Sequence, residues 1–473
     1  MTETKWRQGE LIEVEIVDLN DTGDGVGKKD GRVVFVADTV PGDRVIARLR
    51  HVKPKYAHGK LQEIRQPSPN RIRPSCIVAD KCGGCQWQHI NYQLQLEAKR
   101  NRVIQALERI GGFANPPVAP VLKALEALGY RNKATYPVGT SGNGKFIAGY
   151  YQKNSHKLIN LNHCPIQDVR LEPLLKRVKQ DIERRGWKPY NEKLHQGEIR
   201  HISFRIGRRT GEILLTIVAK QVNIPGIEEQ AQEWLDHYPP LVGVMLNQNG
   251  ERTNVIFGSD TRCIAGRPYL REKFAGLEFQ IQAETFFQVY TETAESLLQI
   301  IQSELNLQGN ELLLDTYCGI GTLTLPLAKQ VGQAVGLEMQ VKAVEQAKLN
   351  ARINNIDNVT FYAGKVEELL PKMDLTPDIV LLDPPRKGCD IQVIETLLMS
   401  KPERIVYVSC KASTLARDLK LLCQDKVYNI TRIVPADFFP QTAHVEAAAF
   451  AVLSQIDAGS KSFTKKSNSK FVA

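Results

Sequence analysis

Cys410 stands next to last in the run Val406-Tyr407-Val408-Ser409-Cys410-Lys411. The apolar residues read as the end of a buried strand, so a thiol stands where the strand stops. A thiolate in such a place can act as a nucleophile. Two other stretches suit it. Leu381-Leu382-Asp383-Pro384-Pro385-Arg386-Lys387-Gly388 is a second buried strand ending in an acid, and His444-Val445-Glu446 sets a carboxylate at the start of a late strand. A cysteine, a base and a loop facing a cofactor are what thiol addition to an electron-poor ring requires. A free thiol has a pKa of about 8.5, so Cys410 needs help to ionise. Lys411, Arg386 and backbone dipoles are the candidates.

The elements that carry these residues alternate strand and helix from Phe279 onward. Leu312-Leu313-Leu314-Asp315 is a buried strand, followed by the glycine turn Thr316-Tyr317-Cys318-Gly319-Ile320-Gly321 and a helix expected over Thr322 to Lys329. The next strand, Ala334 to Glu338, ends in an acid that can accept hydrogen bonds from ribose hydroxyls. Further strands are expected at Val359 to Tyr362, Asp378 to Leu382 and Arg404 to Val408, giving a doubly wound sheet. Leu323 and Thr324 follow Gly321 where a dinucleotide fingerprint would have its third glycine. The Asp315-x-x-Cys-Gly-x-Gly pattern instead looks like a loop for S-adenosylmethionine. Loops beyond strand carboxyl ends hold the ligand in such sheets, so Asp383 faces the cofactor. Amine methyltransferases often carry an aromatic after Asp-Pro-Pro; Arg386 in that place points to carbon chemistry. C5 of uracil becomes nucleophilic once a thiolate has added at C6, and a base must then remove the C5 proton.

Upstream, Leu11 to Ile16 alternates apolar and charged residues, and short strands separated by Gly and Pro turns continue to about Gln66. This predicts a small β-barrel, with Lys28, Lys29, Arg32, Arg44, Arg48 and Lys60 offering a basic face to a nucleic-acid backbone. Cys76, Cys82 and Cys85 follow on a glycine-containing loop, and Cys164 before Pro165 is the candidate fourth ligand of one metal centre. Their spacing leaves zinc and an iron–sulfur cluster open. Asn91 to Ile110 reads as a helix ended by Gly111-Gly112, with Val103, Ile104, Leu107 and Ile110 on one face. Residues 129–274 read as a central α+β unit in which Ile213 to Val218 is a strand and Gly226 to Asp236 a helix. Tyr130-Arg131-Asn132-Lys133-Ala134 is basic with an aromatic lead, like an RNA-contacting or an amphipathic surface strand.

A chain of 473 residues with a net charge of +10 suggests roughly three domains and a polyanionic partner. Nine unevenly spaced cysteines fit a cytosolic protein better than a disulfide framework. There is no signal-like start and no membrane-length apolar run. A cytoplasmic monomer is expected. Residues 457–473 are Ser/Lys-rich and expected to be disordered.

Together with Glu284-Thr285-Phe286-Phe287-Gln288, the Asp315–Gly319, Leu382–Gly388, Tyr407–Asp418 and Phe438–Glu446 stretches resemble the RNA uracil-5-methyltransferase family over nearly the whole chain. The first 65 or so residues resemble a TRAM domain. The resemblance implies a Rossmann-like S-adenosylmethionine-dependent α/β domain, with Cys410 as nucleophile and Glu446 as base. It further implies Gln288, Tyr317, Glu338 and Asp383 as cofactor residues, and a 4Fe–4S cluster, zinc being the alternative, on Cys76, Cys82, Cys85 and Cys164. The barrel and cluster suggest the branch acting on 23S ribosomal RNA; transfer RNA is the alternative. The expected division is 1–67 barrel, 68–278 cluster segment and central α+β domain, 279–456 catalytic domain and 457–473 tail, with helix 91–112 packing on the catalytic domain. Ala447 stands where many members have Thr or Cys. Two other classes fit parts of the pattern: a cytosine-5 methyltransferase and a non-catalytic RNA-binding iron–sulfur protein.

Overall fold

The computed structural model describes residues 6–454; the Ser/Lys-rich tail lies outside the described residues. Strands β1 (Leu11–Leu19), β2 (Gly25–Lys29), β3 (Arg32–Val36), β4 (Arg44–Val52) and β5 (Tyr56–Gln66) form a closed barrel in the order β1-β2-β3-β5-β4. Alternation in β1 buries Ile12, Val14 and Ile16 and turns Glu13 and Glu15 outward, as the two-residue period of a strand requires. Val34, Val36, Val45, Ala47, Leu49 and Ala57 complete the barrel core.

A seven-stranded sheet follows. Its strands are β6 (Lys133–Thr140), β7 (Phe146–Tyr151), β8 (Leu158–Asn160), β9 (Ile199–Ile206), β10 (Ile213–Ala219), β11 (Leu241–Gln248) and β12 (Asp260–Gly266), in the order β12-β11-β10-β9-β6-β7-β8. Helix α1 (Tyr92–Ala106) lies between the barrel and this sheet in sequence, α2 (Glu172–Arg184) between β8 and β9, and α3 (Ile227–His237) between β10 and β11. α2 and α3 cover one face of the sheet, where Leu174, Val178, Ile182 and Trp234 meet Phe204, Leu215 and Ile217. Tyr130, read from sequence as part of a surface strand, is instead fully buried. It stacks on Tyr290 with centroids 4.8 Å apart, and its hydroxyl donates to the Pro440 carbonyl at 3.1 Å. A phenol that finds both a ring and an acceptor inside has no reason to stay in water.

The third unit begins with the hairpin β13 (Tyr269–Phe274) and β14 (Leu277–Gln282). Helices α4 (Thr291–Leu305), α5 (Thr324–Ala328), α6 (Val341–Ile353), α7 (Val366–Leu369), α8 (Ile391–Ser400) and α9 (Ala412–Leu422) alternate with β15 (Leu312–Asp315), β16 (Gln333–Glu338), β17 (Val359–Ala363), β18 (Ile379–Leu382) and β19 (Arg404–Ser409). β20 (Tyr428–Ala436) and β21 (Glu446–Leu453) finish the sheet, ordered β17-β16-β15-β18-β19-β21-β20. The first five strands are parallel, and β21 runs antiparallel to β19 and β20. Strand order reverses between β15 and β18, which opens a crevice beyond their carboxyl ends. α5 is shorter than the expected Thr322 to Lys329. Proline is tolerated only in a helix's first turn, and starting at Thr324 keeps Pro326 there.

α1 carries Val103 into a core shared with Leu415 and Leu419 of α9. Past Ala106 it widens into a π turn over Leu107–Gly111 and stops at Gly112, with φ at +75°. The wider turn rotates Ile110 off the apolar face, and Ile110 is 43% exposed, against the expectation of a continuous stripe. Among the described residues no helix is long and apolar enough to cross a membrane.

Candidate active site

The ladder between β19 and β21 pairs Ser409 with Ala447. Cys410 follows Ser409 and Glu446 precedes Ala447, so the end of this ladder brings the two together, near enough for the Glu446 carboxylate to act on the thiol. Asp383 leaves the neighbouring strand β18, and Asp315 and Glu338 end β15 and β16. Five reactive or acidic groups thus share one edge of the sheet. The apolar runs that precede Asp315, Glu338, Asp383 and Cys410, and the run that follows Glu446, bury the strands and deliver these residues to that edge.

Burial and mutual repulsion tune these groups. Glu446 is buried, and its carboxyl is pushed up to about 8, first by loss of solvent and then by Asp383. Half-buried Asp383 is pushed up to about 7, by burial and then by Asp315. Asp315 is pushed up to about 6 by burial, with Glu338 adding to the rise. Its Oδ2 accepts from Thr324 Oγ1 at 2.6 Å and its Oδ1 from the Tyr317 amide at 3.3 Å. The Cys410 thiol also lies above its ordinary value, through burial, then Glu446 and Asp383; Arg386 is the cation that opposes them. Lys411 is exposed and is not among the groups that move this thiol. Of the three candidates for ionising Cys410, Arg386 is therefore the side chain in place.

The glycine turn lies beside this edge. Gly319 and Gly321 adopt φ of +54° and +86°, a region open to glycine at little cost. The Gly319 and Gln340 amides donate to Glu338 Oε2 and Oε1 at 3.2 and 2.8 Å, fixing that carboxylate. A Cβ on Gly336 would come within 2.5 Å of the Phe361 ring and 2.9 Å of Cys318 Sγ. Tyr317 is half-buried at the start of this turn, and burial raises its phenol above the ordinary value, with the neighbouring Cys389 adding to the rise. Gln288 comes from a different segment, between β14 and α4; it is buried, and Asn132 Nδ2 donates to its carbonyl at 2.8 Å.

Cys76, Cys82, Cys85 and Cys164 line one cavity, together with Gln88, Tyr150, Leu161 and Ile166. Cys85 is pushed up to about 11 and Cys164 up to about 12, by burial first, with the neighbouring sulfurs contributing to both. Four sulfurs around one cavity suit a thiolate-ligated group, whose positive charge would relieve that repulsion. Among the described residues no three His, Cys, Asp or Glu side chains are grouped so as to hold a metal ion.

Residues 91–454 match the model of the tRNA (uracil-5-)-methyltransferase family, and residues 5–61 match that of the TRAM domain. The chain belongs to the tRNA (uracil-5-)-methyltransferase family. It is 70% identical to an uncharacterized RNA methyltransferase of Nostoc sp., over 96% of this chain and 99% of that one. An uncharacterized RNA methyltransferase of Synechocystis sp. is 55% identical, over 94% and 96%. Among solved structures, the Pyrococcus abyssi tRNA (uracil-54, C5)-methyltransferase, in complex with S-adenosyl-L-homocysteine, superposes with a TM-score of 0.76. It is 30% identical and covers 93% of this chain and all of that one. The chain is thus an RNA methyltransferase built on a mixed α/β fold with an N-terminal TRAM barrel.

In this family member the structure brings Tyr317, Glu338, Asp383, Cys410 and Glu446 to one edge. Sequence reasoning set Asp315 at the head of the S-adenosylmethionine loop pattern without naming it among the cofactor residues; the structure buries its carboxyl beside Asp383 and Glu338. It also missed the fully buried ion pair between Lys99 Nζ and Asp437 Oδ1 at 2.5 Å, which ties α1 to the turn preceding Glu446. Nothing local flags a pair so far apart in the chain.

Proposed function

We propose that this chain methylates C5 of a uridine in RNA, with S-adenosylmethionine as donor and 23S ribosomal RNA as substrate. The observation that carries this reading is the end of the β19–β21 ladder, where the Cys410 thiol feels the Glu446 and Asp383 carboxylates. Cys410 as thiolate adds to C6 of the ring, and the C5–C6 electrons move out to the O4 enolate. C5 then takes the methyl group that the donor supplies from its sulfonium. Glu446 removes the C5 proton, the double bond reforms, and the thiolate leaves. Glu446 acts in its ionised form, the minority form near neutrality for a group held at about 8, and the raised value makes that carboxylate a stronger base. The row of carboxylates at Glu338, Asp315 and Asp383 suits a cationic donor. Gln288, Tyr317, Glu338 and Asp383 hold it, Glu338 through the ribose hydroxyls.

Cys76, Cys82, Cys85 and Cys164 hold a 4Fe–4S cluster; the support is their shared cavity. Its role is structural or RNA-facing, since methyl transfer moves no electron. Anaerobic purification with iron and sulfide assay tests it, and stoichiometric zinc in a colourless protein overturns it. Residues 1–67 act as the RNA-gripping barrel, 68–278 as the cluster and central unit, and 279–456 as the catalytic unit, in a cytoplasmic monomer. Transfer RNA is the second reading, favoured by the substrate named for the archaeal relative.

The test is methylation of unmodified ribosomal and transfer RNA, read as labelled nucleosides. Wild type yields 5-methyluridine, and Cys410→Ala binds RNA but yields none. Labelled 5-methylcytidine, or full turnover by Cys410→Ala, contradicts the proposal.

A further inference from the structure

The turn 437–445 joins β20 to β21 and ends at Glu446. Within it Gln441 is buried and adopts φ of +69°, a region that a residue with a side chain occupies only when its surroundings compel it. Its carbonyl accepts from the Gln86 and Trp87 amides at 3.1 and 2.9 Å. Its amide donates to Gln95 Oε1 at 3.0 Å, and Gln95 Nε2 donates back to its Oε1 at 3.1 Å. Its own Nε2 donates to the Ala127 carbonyl at 3.4 Å. Every polar atom of Gln441 is thus taken, and all by residues outside the catalytic sheet.

The same neighbourhood grips the rest of the turn. Lys99 Nζ donates to the Phe439 carbonyl at 3.0 Å, Tyr130 Oη to the Pro440 carbonyl at 3.1 Å and Arg102 Nη1 to the Ala443 carbonyl at 2.5 Å. Gln95 Nε2 also reaches the Trp87 and Ile90 carbonyls at 3.1 and 2.9 Å, and Trp87 Nε1 donates to Gly23 of the barrel at 3.0 Å. The grip begins one residue after Cys85.

We propose that the segment Cys85–Gln95 positions the proton-abstracting carboxylate, through the paired side chains of Gln95 and Gln441. The proposal rests on the reading of Glu446 as base. Gln441 and Gln95 are positioning residues: no bond of theirs reaches Cys410 or Glu446. When the pair is lost, the strained turn relaxes and Glu446 drifts from the C5 proton. Cys410, carried on β19, keeps its place. Addition to the ring then continues while release of the product slows.

Gln441→Ala and Gln95→Ala, each assayed as the full-length enzyme with unmodified RNA and S-adenosylmethionine, test this, with Glu446→Gln as reference. The readouts are turnover, the rate of covalent adduct formation in a single turnover, and the steady-state adduct fraction on denaturing gels. Both variants should lose about tenfold or more in turnover, a share of what a general base supplies. Adduct formation should be preserved and the adduct fraction should rise. Unchanged turnover overturns the proposal. So does turnover that falls together with adduct formation while Glu446→Gln still traps adduct, since that is what a merely structural role gives. Glu446→Gln without adduct removes the base reading itself. Should Gln441→Ala fail to fold, Gln95→Ala, which leaves the turn's own sequence intact, decides alone.

Discussion

Replacing Glu446 by Gln should stabilise the free enzyme, and increasingly so as the pH rises. A carboxyl held at about 8 against an ordinary 4.5 keeps a proton at neutrality that the unfolded chain has released. The sign follows from linkage. With the folded value raised, the group's favourable contribution is complete below pH 4.5 and is lost as the pH climbs through 8. At pH 7 the two values give a deficit of about 3 kcal/mol, which glutamine does not carry. For a unit of this size that corresponds to roughly 6–12 °C in Tm. Calorimetric melts of wild type and Glu446→Gln without cofactor or RNA, at pH 5, 7 and 8.5, provide the assay. The gap in favour of the variant should be small at pH 5 and widen to pH 8.5. A gap independent of pH, or one that shrinks as the pH rises, refutes the claim that burial and Asp383 hold this carboxyl protonated.

Arg386→Gln removes the cation that opposes the rise of the Cys410 pKa, so iodoacetamide should alkylate Cys410 more slowly near neutrality, with the pH–rate curve displaced to higher pH. An unchanged curve would give that role to backbone dipoles. Lys99→Met leaves Asp437 buried without its cation and should cost about 3–5 kcal/mol of stability; denaturant unfolding measures it, and a loss below about 1 kcal/mol contradicts the pairing. Gly336→Ala forces a methyl against Phe361 and Cys318 and should cost about 1–3 kcal/mol, seen as a lowered Tm of the free protein.

The catalytic sheet was legible because each parallel strand is a short aliphatic run with its chemistry on the last residue. Leu381-Leu382-Asp383 and Val406–Cys410 each announce a strand and a candidate site residue together, and the antiparallel return of β21 brings Glu446 to the same edge. The barrel was legible through the alternation of apolar and acidic residues over Ile12–Ile16. What escaped depends on partners remote in sequence. Tyr130 looks like a surface aromatic until Tyr290 and Pro440 are placed around it. The face of α1 was readable, but the π turn that moves Ile110 out is set by packing, not by periodicity. Gln95 and Gln441 carry no charge and no motif spacing; only the fold brings their amides together. Which cation serves Cys410 was equally open, since Lys411 and Arg386 are both close in sequence to the site and only one lies where its field counts.

The most direct test of the account is to incubate Glu446→Gln with unmodified RNA and S-adenosylmethionine, digest the denatured product with protease and nuclease, and identify the cross-linked peptide by mass spectrometry. The predicted species is a peptide containing Cys410 joined through sulfur to a uridine that already carries the transferred methyl group. A cross-link at any other residue, or methylated RNA released with no cross-link at all, would contradict covalent addition by Cys410.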